Sequence, residues 1–461
     1  MLNNLPTKRS KMQSIFLLLS IAFGISIVML FVVQEWITVA AFIGATIIIL
    51  ILFLFKNKPE FIIVVCLILQ FIPIGRYIGF PLYLALFIYL VIERWSKKGN
   101  VISFNIINVS WLALIILGCI TIPKWNNYFS GMQWFMSLVI IPFIIYILII
   151  DEYIKPDAIR WLLATGIPII IGFIVIATFI LSAIIIINQS SNITTYNFLI
   201  AFRGIVITGN GHNRLAGFLI FCAVYGYLTR EFWSDRKLKK ITFSVILYTA
   251  LALSLLFVSR GALISLCTAI IIYFIGKYFM QEKVRHKKEL RLLPIVLGIL
   301  AAVFILITTK PFIEFLILRM QDYKNYSTLS RLVMWENCLL KIKSGIIMGT
   351  GPGQYPWYGI GELLEDPHNI LLRYGVEFGA ISLIFVAVVL FYPFLLVAKK
   401  VRGAREETVK TFLLFAPPLL GVFVHSMVDS LIGSRGMGPF IWLIWAIFIK
   451  YLLGFSNKQA A

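Results

Sequence analysis

Charged residues are scarce in this chain. They make up only 13% of its 461 residues, and no polar stretch of domain length separates its apolar runs. Hydrophobic residues reach 60%, which is more than a soluble fold can bury, so the composition excludes a soluble protein. Apolar runs of about 20 residues, the length of a membrane-spanning helix, recur from end to end. The sequence therefore predicts one integral membrane domain, not a soluble enzyme with an anchor.

Cysteine and acidic residues are also few. The five cysteines stand singly, mostly inside apolar runs, which argues against a disulfide framework and against metal-ligand spacing. Only 20 acidic residues face 41 Lys and Arg, giving a formal net charge of +21. The basic residues cluster in short loops beside apolar runs, where they orient a membrane protein. We therefore expect a lipid bilayer and no nucleic acid as a partner.

The hydropathy pattern predicts an all-α integral membrane protein, a polytopic helical bundle of about 12 to 14 transmembrane helices. The candidate spans lie near residues 13–33, 36–55, 60–74, 80–93, 107–122, 132–150, 161–187, 212–229, 241–259, 261–280, 292–309, 375–398, 411–432 and 436–455. The excess of Lys and Arg in alternate loops predicts that both termini are cytoplasmic.

This orientation places two large segments outside the cell, residues 188–211 and 310–374. The second is far longer than an ordinary connection between helices, which indicates a functional loop. Within it, "STLSRLVMWENCLLKIKSG" predicts an amphipathic helix on the membrane face, with Leu332, Met334, Trp335, Leu339 and Ile342 as its apolar residues. We expect the chemistry at this outer interface.

Two arginines at the outer edge of the predicted spans are candidates for binding an anion. Arg203 lies in "AFRGIVITGNGHNRLAGF", and Arg260, in "FVSRGALISL", separates two apolar runs with almost no loop. A charge at the bilayer centre costs about 2.5 to 3.5 kcal/mol on insertion scales, so Arg260 needs a partner. The alternative is structural: Arg260 snorkels to lipid headgroups, and Arg203 is a loop arginine.

His368, in "EDPHN", is a candidate general base because an imidazole changes its protonation near neutral pH. The alternative is that it only decorates a helix start, with Asp366 as N-cap and Pro367 at the first helical position.

Two further features leave alternatives open. His425 and Asp429, four residues apart in "VHSMVDSLIG", either pair with each other on one helix face or line a cavity. "MGTGPGQYP", residues 348–356, lacks the Lys and Ser/Thr of a P-loop and is either a backbone nest for an anion or a tight glycine turn. The first outer loop offers only Glu35 as a carboxylate, so we expect no metal at the reaction centre.

The order and spacing of four motifs resemble the bacterial O-antigen ligase and O-antigen polymerase superfamily. The motifs are "RGIVITGNGHNRLAGF", "SRGALISL", "SRLVMWENCLLKIKSGIIMGTGPGQY" and "HNILLRYGVEFGAISLIF". The resemblance covers roughly residues 200–432. It divides the chain into N-terminal helices over 1–199, a core over 200–435 that includes loop 310–374, and a last helix with its tail over 436–461.

The resemblance implies a glycosyltransferase of the bacterial cytoplasmic (inner) membrane. Its donor would be a glycan on undecaprenyl diphosphate and its acceptor a saccharide or lipid-linked hydroxyl, with transfer on the outer face in O-antigen, capsule or teichuronic-acid-like biosynthesis. Arg203 and Arg260 would bind the diphosphate, His368 would activate the acceptor, and no cofactor or metal would be needed. Attack opposite the leaving diphosphate would invert the anomeric carbon.

Secondary candidates would orient the site rather than react: Arg331, Asn213, Asn369, Glu377, His425 and Asp429. The role of His212 stays open, because this chain reads "GNGHN" where the family commonly has Pro after the Asn. Polymerisation and ligation share the donor chemistry, and the sequence does not separate them. The alternative function is a transporter or flippase of lipid-linked saccharides, which predicts charges at the middle of several spans and an internal repeat.

Overall fold

The computed structural model describes residues 58–71, 75–98, 105–151, 153–188, 212–229, 237–256, 259–281, 327–345, 347–358, 363–364, 366–401, 406–434 and 436–457. These residues form an all-α membrane protein with a single two-residue ladder, β1 (Trp357–Tyr358) against β2 (Leu363–Leu364). The α-helices are α1 (Pro59–Gln70), α2 (Gly75–Lys98), α3 (Ile106–Thr121), α4 (Tyr128–Phe135), α5 (Ile141–Ile150), α6 (Pro156–Trp161), α7 (Ile167–Asn188), α8 (His212–Thr229), α9 (Lys237–Leu256), α10 (Arg260–Gln281), α11 (Ser327–Ser344), α12 (Ile370–Phe378), α13 (Ser382–Val401), α14 (Glu406–His425) and α15 (Gly438–Asn457).

Three helical segments are long and apolar enough to cross a membrane: Ile106–Lys124, Tyr128–Ile150 and Pro156–Ile180. The second joins α4 to α5 through a π-helical turn, Met136–Ile140, and the third joins α6 to α7 through another, Leu162–Gly166. Seven shorter apolar helices accompany them in the described part of the chain. The predicted spans at 13–33, 36–55 and 292–309 lie outside the described residues, so the total of about 12 to 14 stays a prediction.

The span predicted at 375–398 is wrong as a single helix. α12 ends at Phe378, and α13 begins at Ser382 after a break at Gly379, whose φ is 92°. A Cβ there would lie 2.7 Å from the carbonyl oxygen of Ile347, so the position needs glycine for space as well as for backbone conformation. The hydroxyl of Ser382 donates to the carbonyl oxygens of Tyr374 and Gly379, so it provides a hydrogen-bond donor to backbone acceptors at the break.

The span predicted at 411–432 is also too long. α14 ends at His425, and residues 426–434 form a turn that leads to α15. Both corrections have the same cause, because hydropathy averages over a run and does not register where the backbone changes direction. As a result, Glu377 and Asp429 lie outside the membrane-spanning helices.

The predicted amphipathic helix at 327–345 is α11, but its apolar residues do not share one face. Met334 and Ile342 pack with Cys338 and Trp357 against α12, whereas Leu332 and Leu339 are exposed. One apolar face of α11 is thus used by the protein itself, and the other is open. Contact of the open face with a membrane stays a prediction.

Helices α8, α10 and α14 pack closely against one another through small residues. A Cβ on Gly217 of α8 or Gly261 of α10 would lie 2.5 or 3.0 Å from Nε2 of His425, so α8 and α10 both press against the ring at the end of α14. One helical turn before His425, Gly421 of α14 approaches the backbone of α10 at Ser265. Small residues at such positions allow the close helix approach on which membrane bundles depend.

We expect Gly421→Ala to lower the midpoint of thermal unfolding in detergent. The new Cβ would meet the carbonyl oxygen of Ser265 at 2.6 Å, and overpacking of that kind costs about 1–3 kcal/mol, more than the helix propensity that alanine gains. Gly172→Ala is the matched control, because its Cβ would meet only Cδ1 of Ile246 at an ordinary 3.4 Å. Equal midpoints for the two variants would contradict the close α10–α14 contact.

Candidate active site

Three segments far apart in sequence meet at one place. They are the start of α8, the stretch 366–369 that precedes α12, and the turn 426–434 between α14 and α15. The amide of Ile370 donates to the carbonyl oxygen of Ser426 at 2.9 Å, which ties the second segment to the third.

A guanidinium, Arg214, joins all three segments. Its Nε donates to Oδ1 of Asp429 at 3.0 Å, and its Nη2 donates to Oδ2 of Asp366. The three side chains are almost completely buried, at 6%, 1% and 6% exposed for Arg214, Asp366 and Asp429. Because a buried charge that loses its partner costs several kcal/mol, each of the three requires the other two to stay in place.

His368 lies beside this ion cluster in an uncommon backbone conformation. Its φ is 52°, and it is the one non-glycine residue in the described segments with a positive φ. Such a conformation costs of order 1–3 kcal/mol and persists where the surroundings enforce it. Here the carboxylate of Asp366 accepts a hydrogen bond of 2.7 Å from the amide of His368 and closes the turn.

The ring of His368 faces a carboxylate on one side. Its Nδ1 lies 3.3 Å from Oδ1 of Asp429 and 3.7 Å from Oδ1 of Asp366, and the side chain is 22% exposed. A carboxylate at Nδ1 favours the tautomer that carries the proton there and leaves Nε2 as the acceptor. The arrangement is an Asp–His pair that can take a proton from a group at Nε2.

Both aspartates are held in the ionised form. Burial alone would raise the pKa of each carboxyl, but the charge of Arg214, with a contribution from His368, outweighs it and holds the pKa of Asp366 and of Asp429 below the ordinary value. Asp429 is therefore an anion at neutral pH, and an anion is what accepts a hydrogen bond from a proton on Nδ1 of His368.

A second buried ion pair adjoins the first. Nε of Arg373 donates to Oε1 of Glu377 at 3.2 Å, its Nη1 lies 3.9 Å from Oδ2 of Asp366, and its guanidinium stacks 3.6 Å from the ring centroid of Trp134. Burial raises the pKa of Glu377 above its ordinary value, although Arg373 opposes the shift. The amide of Gly353 also donates to Oε1 of Glu377, at 3.0 Å. Of the two interpretations of the glycine stretch 348–356, the tight turn fits, since this amide binds a carboxylate of the protein itself.

Helix α11 donates hydrogen bonds to the stretch 366–369 and to the turn 426–434. A guanidinium nitrogen of Arg331 donates to the carbonyl oxygen of Val428 at 3.2 Å, next to Asp429. One helical turn along, the indole of Trp335 donates to the carbonyl oxygen of Pro367 at 2.7 Å, next to His368. Arg331 thus contacts the backbone of the turn 426–434, and its orienting role stays a prediction.

The predicted N-cap is wrong. Helix α12 begins at Ile370, and Asn369 is its N-cap, with Oδ1 accepting from the amides of Leu371 and Leu372. Asp366 is instead the anion that Arg214 binds. The sequence argument placed the cap before the proline, but a proline that follows a buried aspartate in a turn satisfies the same pattern without starting a helix.

Of the two alternatives for His425 and Asp429, a hydrogen bond between their side chains is not formed in the described residues, although the amide of Asp429 donates to the carbonyl oxygen of His425 at 2.8 Å. The spacing of four brings side chains together only on a continuous helix, and α14 stops at His425. The ring of His425 is buried against Gly217 and Gly261. Asp429 turns to Arg214 and His368.

The remaining predicted residues are only partly placed. Arg203 lies outside the described residues, and Arg260 is the first residue of α10. His212 begins α8, and Asn213 follows it, directly before Arg214. The meeting of Arg203 and Arg260 with His368 therefore stays a prediction, whereas His368 and Asp429 do lie together.

A metal ion is an alternative partner for this cluster. Ligand atoms of Asp366, His368 and Asp429 lie within 4.8 Å of one another, close enough to hold one. Arg214, however, already donates to an oxygen of each aspartate and supplies the positive charge that a cation would bring. The donor set thus fits a guanidinium better than a metal.

Sequence reasoning missed Arg214, Arg373 and Trp134. The first carried a usable signal: Arg214 stands directly before the apolar run "LAGFLIFCAVYGYL", the same context that singled out Arg260. No comparable signal marks Arg373 or Trp134, whose contact joins positions far apart in the chain.

A family model described as O-antigen ligase matches residues 243–387, and a search of curated proteins found no match. The match confirms the resemblance to the O-antigen ligase and polymerase superfamily over a region that includes His368, Arg331 and Glu377. It supports glycan transfer of that general type, and the apolar helices agree with a membrane location.

We expect Arg373→Met to destabilise the protein more at pH 8 than at pH 5. In this variant Glu377 loses the charge of Arg373, which opposes the rise of its pKa on burial, so its pKa would rise further. A carboxyl whose pKa is higher in the folded than in the unfolded state contributes stability at low pH, and that stability is lost as the pH rises. Breaking a buried pair costs about 3–5 kcal/mol when the remaining group is charged. Thermal midpoints at both pH values test this.

The control is Arg373→Met combined with Glu377→Gln, in which no charge is left alone. This double variant should lose less stability than Arg373→Met at pH 8 and should show little dependence on pH. A loss of thermal stability that is the same at pH 5 and pH 8 in Arg373→Met would contradict the ion pair.

Proposed function

We propose that this protein is a metal-independent, inverting glycosyltransferase of a bacterial cytoplasmic membrane. It transfers a glycan from undecaprenyl diphosphate to a sugar hydroxyl on the outer face, either polymerising repeat units or ligating a finished chain in cell-surface polysaccharide synthesis. Both termini are cytoplasmic in this proposal, as the distribution of Lys and Arg predicts.

One observation carries the proposal: the imidazole of His368 is partly exposed and has an ionised carboxylate 3.3 Å from its Nδ1. A base that removes a proton from a hydroxyl must have a free ring nitrogen toward the acceptor and a partner that stabilises the cation it becomes. Asp429 is that partner. The 22% exposure of the His368 side chain supports access of an acceptor to the ring.

The reaction balances without a further reactant. The acceptor oxygen attacks the anomeric carbon, its proton passes to Nε2 of His368, and the bond from that carbon to the phosphate oxygen breaks with its electron pair on the oxygen. The leaving group is undecaprenyl diphosphate, and attack from the opposite side inverts the anomeric carbon. Arg203 and Arg260 bind the diphosphate through charge-assisted hydrogen bonds, which strengthen as charge develops on it.

We expect purified protein to convert an undecaprenyl-diphosphate oligosaccharide into product in the presence of a chelator, and His368→Ala to lose at least about a hundredfold in rate, the usual worth of a positioned base. Products resolved on a gel also separate two activities: a ladder indicates a polymerase, and a single transfer that needs added acceptor indicates a ligase.

His286→Ala is the matched control, since His286 lies in the basic stretch "QEKVRHKKELR", which is predicted to face the cytoplasm. Wild-type activity in His368→Ala would refute the site assignment. Loss of wild-type activity on chelation, restored by a divalent ion, would refute metal independence. Protein that turns over no donor but moves it between the two leaflets of a vesicle would instead be a transporter.

Arg203→Gln and Arg260→Gln should each weaken use of the donor by about tenfold or more, because a hydrogen bond to a charged group is worth about 1.5–3 kcal/mol. The steady-state constants for donor measure this, with the corresponding Lys variants retaining part of the activity. Arg160→Gln is the control, because Arg160 is 77% exposed and pairs only loosely with Asp157 at 3.7 Å. Unchanged donor kinetics in both Gln variants would remove these arginines from the site.

A further inference from the structure

We propose that Arg214 is a positioning residue for glycan transfer, which fixes Asp429 against His368 and offsets the charge of the two neighbouring aspartates so that His368 can act as a base. This inference rests on the proposed function.

The geometry gives Arg214 control over the imidazole. One oxygen, Oδ1 of Asp429, accepts from Nε of Arg214 at 3.0 Å and lies 3.3 Å from Nδ1 of His368. The position of the guanidinium therefore sets the direction in which that oxygen meets the ring. With Nδ1 held there, Nε2 is the nitrogen left to meet the acceptor hydroxyl.

The same guanidinium holds the turn from which His368 projects. Its Nη2 donates to Oδ2 of Asp366, while Oδ1 of Asp366 accepts from the amide of His368 at 2.7 Å. Arg214 thus reaches His368 by two routes, through its ring and through its backbone. Lysine cannot reproduce both contacts, because only the planar fork of arginine presents two donors at fixed directions.

The charges around the ring of His368 are the second reason to assign this role to Arg214. The two aspartates bring oxygens within 3.3 and 3.7 Å of Nδ1. Uncompensated carboxylates so close stabilise the protonated imidazole, and a protonated imidazole cannot accept the proton of a hydroxyl. Arg214 is bonded to both carboxylates and reduces their combined effect. Among the described side chains, the other ionisable groups packed around this site are Arg373 and Glu377 of α12, His425 of α14 and Arg331 of α11.

The test is the pH profile of kcat/KM for the full-length protein with the lipid-linked donor. Arg214→Gln keeps a hydrogen-bonding side chain but removes the charge, so the acidic limb of the profile should move to higher pH by about one unit or more. Arg214→Lys keeps the charge and loses the fork, so the limb should stay in place while kcat falls. Arg214→Gln combined with Asp366→Asn removes one charge of each sign and should bring the limb back toward that of wild type.

A purely structural role predicts something different. It would lower the amount or activity of the protein by the same factor at every pH, and Arg214→Gln would then show an unshifted limb. That result overturns the inference but leaves the proposed function standing, provided that His368→Ala is inactive. If His368→Ala is fully active, both fall together.

A second measurement avoids dependence on activity and on the folding of any Arg214 variant. The chain has only four histidines, so selective ¹⁵N labelling of histidine in wild type, compared with His368→Ala, identifies the His368 signals. The proton should lie on Nδ1 in the neutral ring. A neutral ring that carries its proton on Nε2 would overturn the arrangement on which the role of Arg214 depends.

Discussion

The site depends on one buried contact, the guanidinium of Arg214 between Asp366 and Asp429. Coulomb attraction is strong where water is excluded, and the penalty for leaving any of these charges alone is correspondingly large. The three residues come from segments separated by 152 and 215 positions in the chain. Their pairing therefore selects one arrangement of the start of α8, the stretch before α12 and the turn after α14. His368 is held where these segments meet, so its position follows from the ion cluster.

The positive φ of His368 indicates how firmly this region is held. A strained backbone survives only when neighbouring contacts outweigh its cost. Three contacts do so here: Asp366 bonds to the amide of His368, Asn369 caps α12 directly afterward, and Trp335 binds the carbonyl oxygen of Pro367. Since Arg331 binds the carbonyl oxygen of Val428, helix α11 contacts the residue before each member of the Asp–His pair. Helix α11, in the segment between α10 and α12, thus supports the turns on which His368 and Asp429 lie.

The sequence predicted those features that depend on local composition. Long apolar runs foretold the all-α membrane fold, and the span at 212–229 coincides with α8. His368 stood out because an ionisable residue is rare in so apolar a chain. The failures arose where structure depends on distant partners or on a single backbone angle. Gly379 ends a helix inside a continuous apolar run, and the end of α14 separates His425 from Asp429 although their spacing suits a helix. Asp366 could be paired with Arg214 only by knowing that their segments meet.

The charges of the described cluster bear on how the proposed reaction divides its tasks. Three carboxylates, those of Asp366, Glu377 and Asp429, face two guanidiniums, those of Arg214 and Arg373, and both guanidiniums are already bonded to carboxylates. Such a cluster has no excess positive charge to offer a diphosphate, and its anions would repel one. In the proposed reaction the cation for the leaving group comes from residues outside this cluster, and Arg203 and Arg260 are the arginines proposed for that role. This separation is physically useful, because a base surrounded by anions can hold a proton, whereas a leaving diphosphate needs cations and no competing carboxylate.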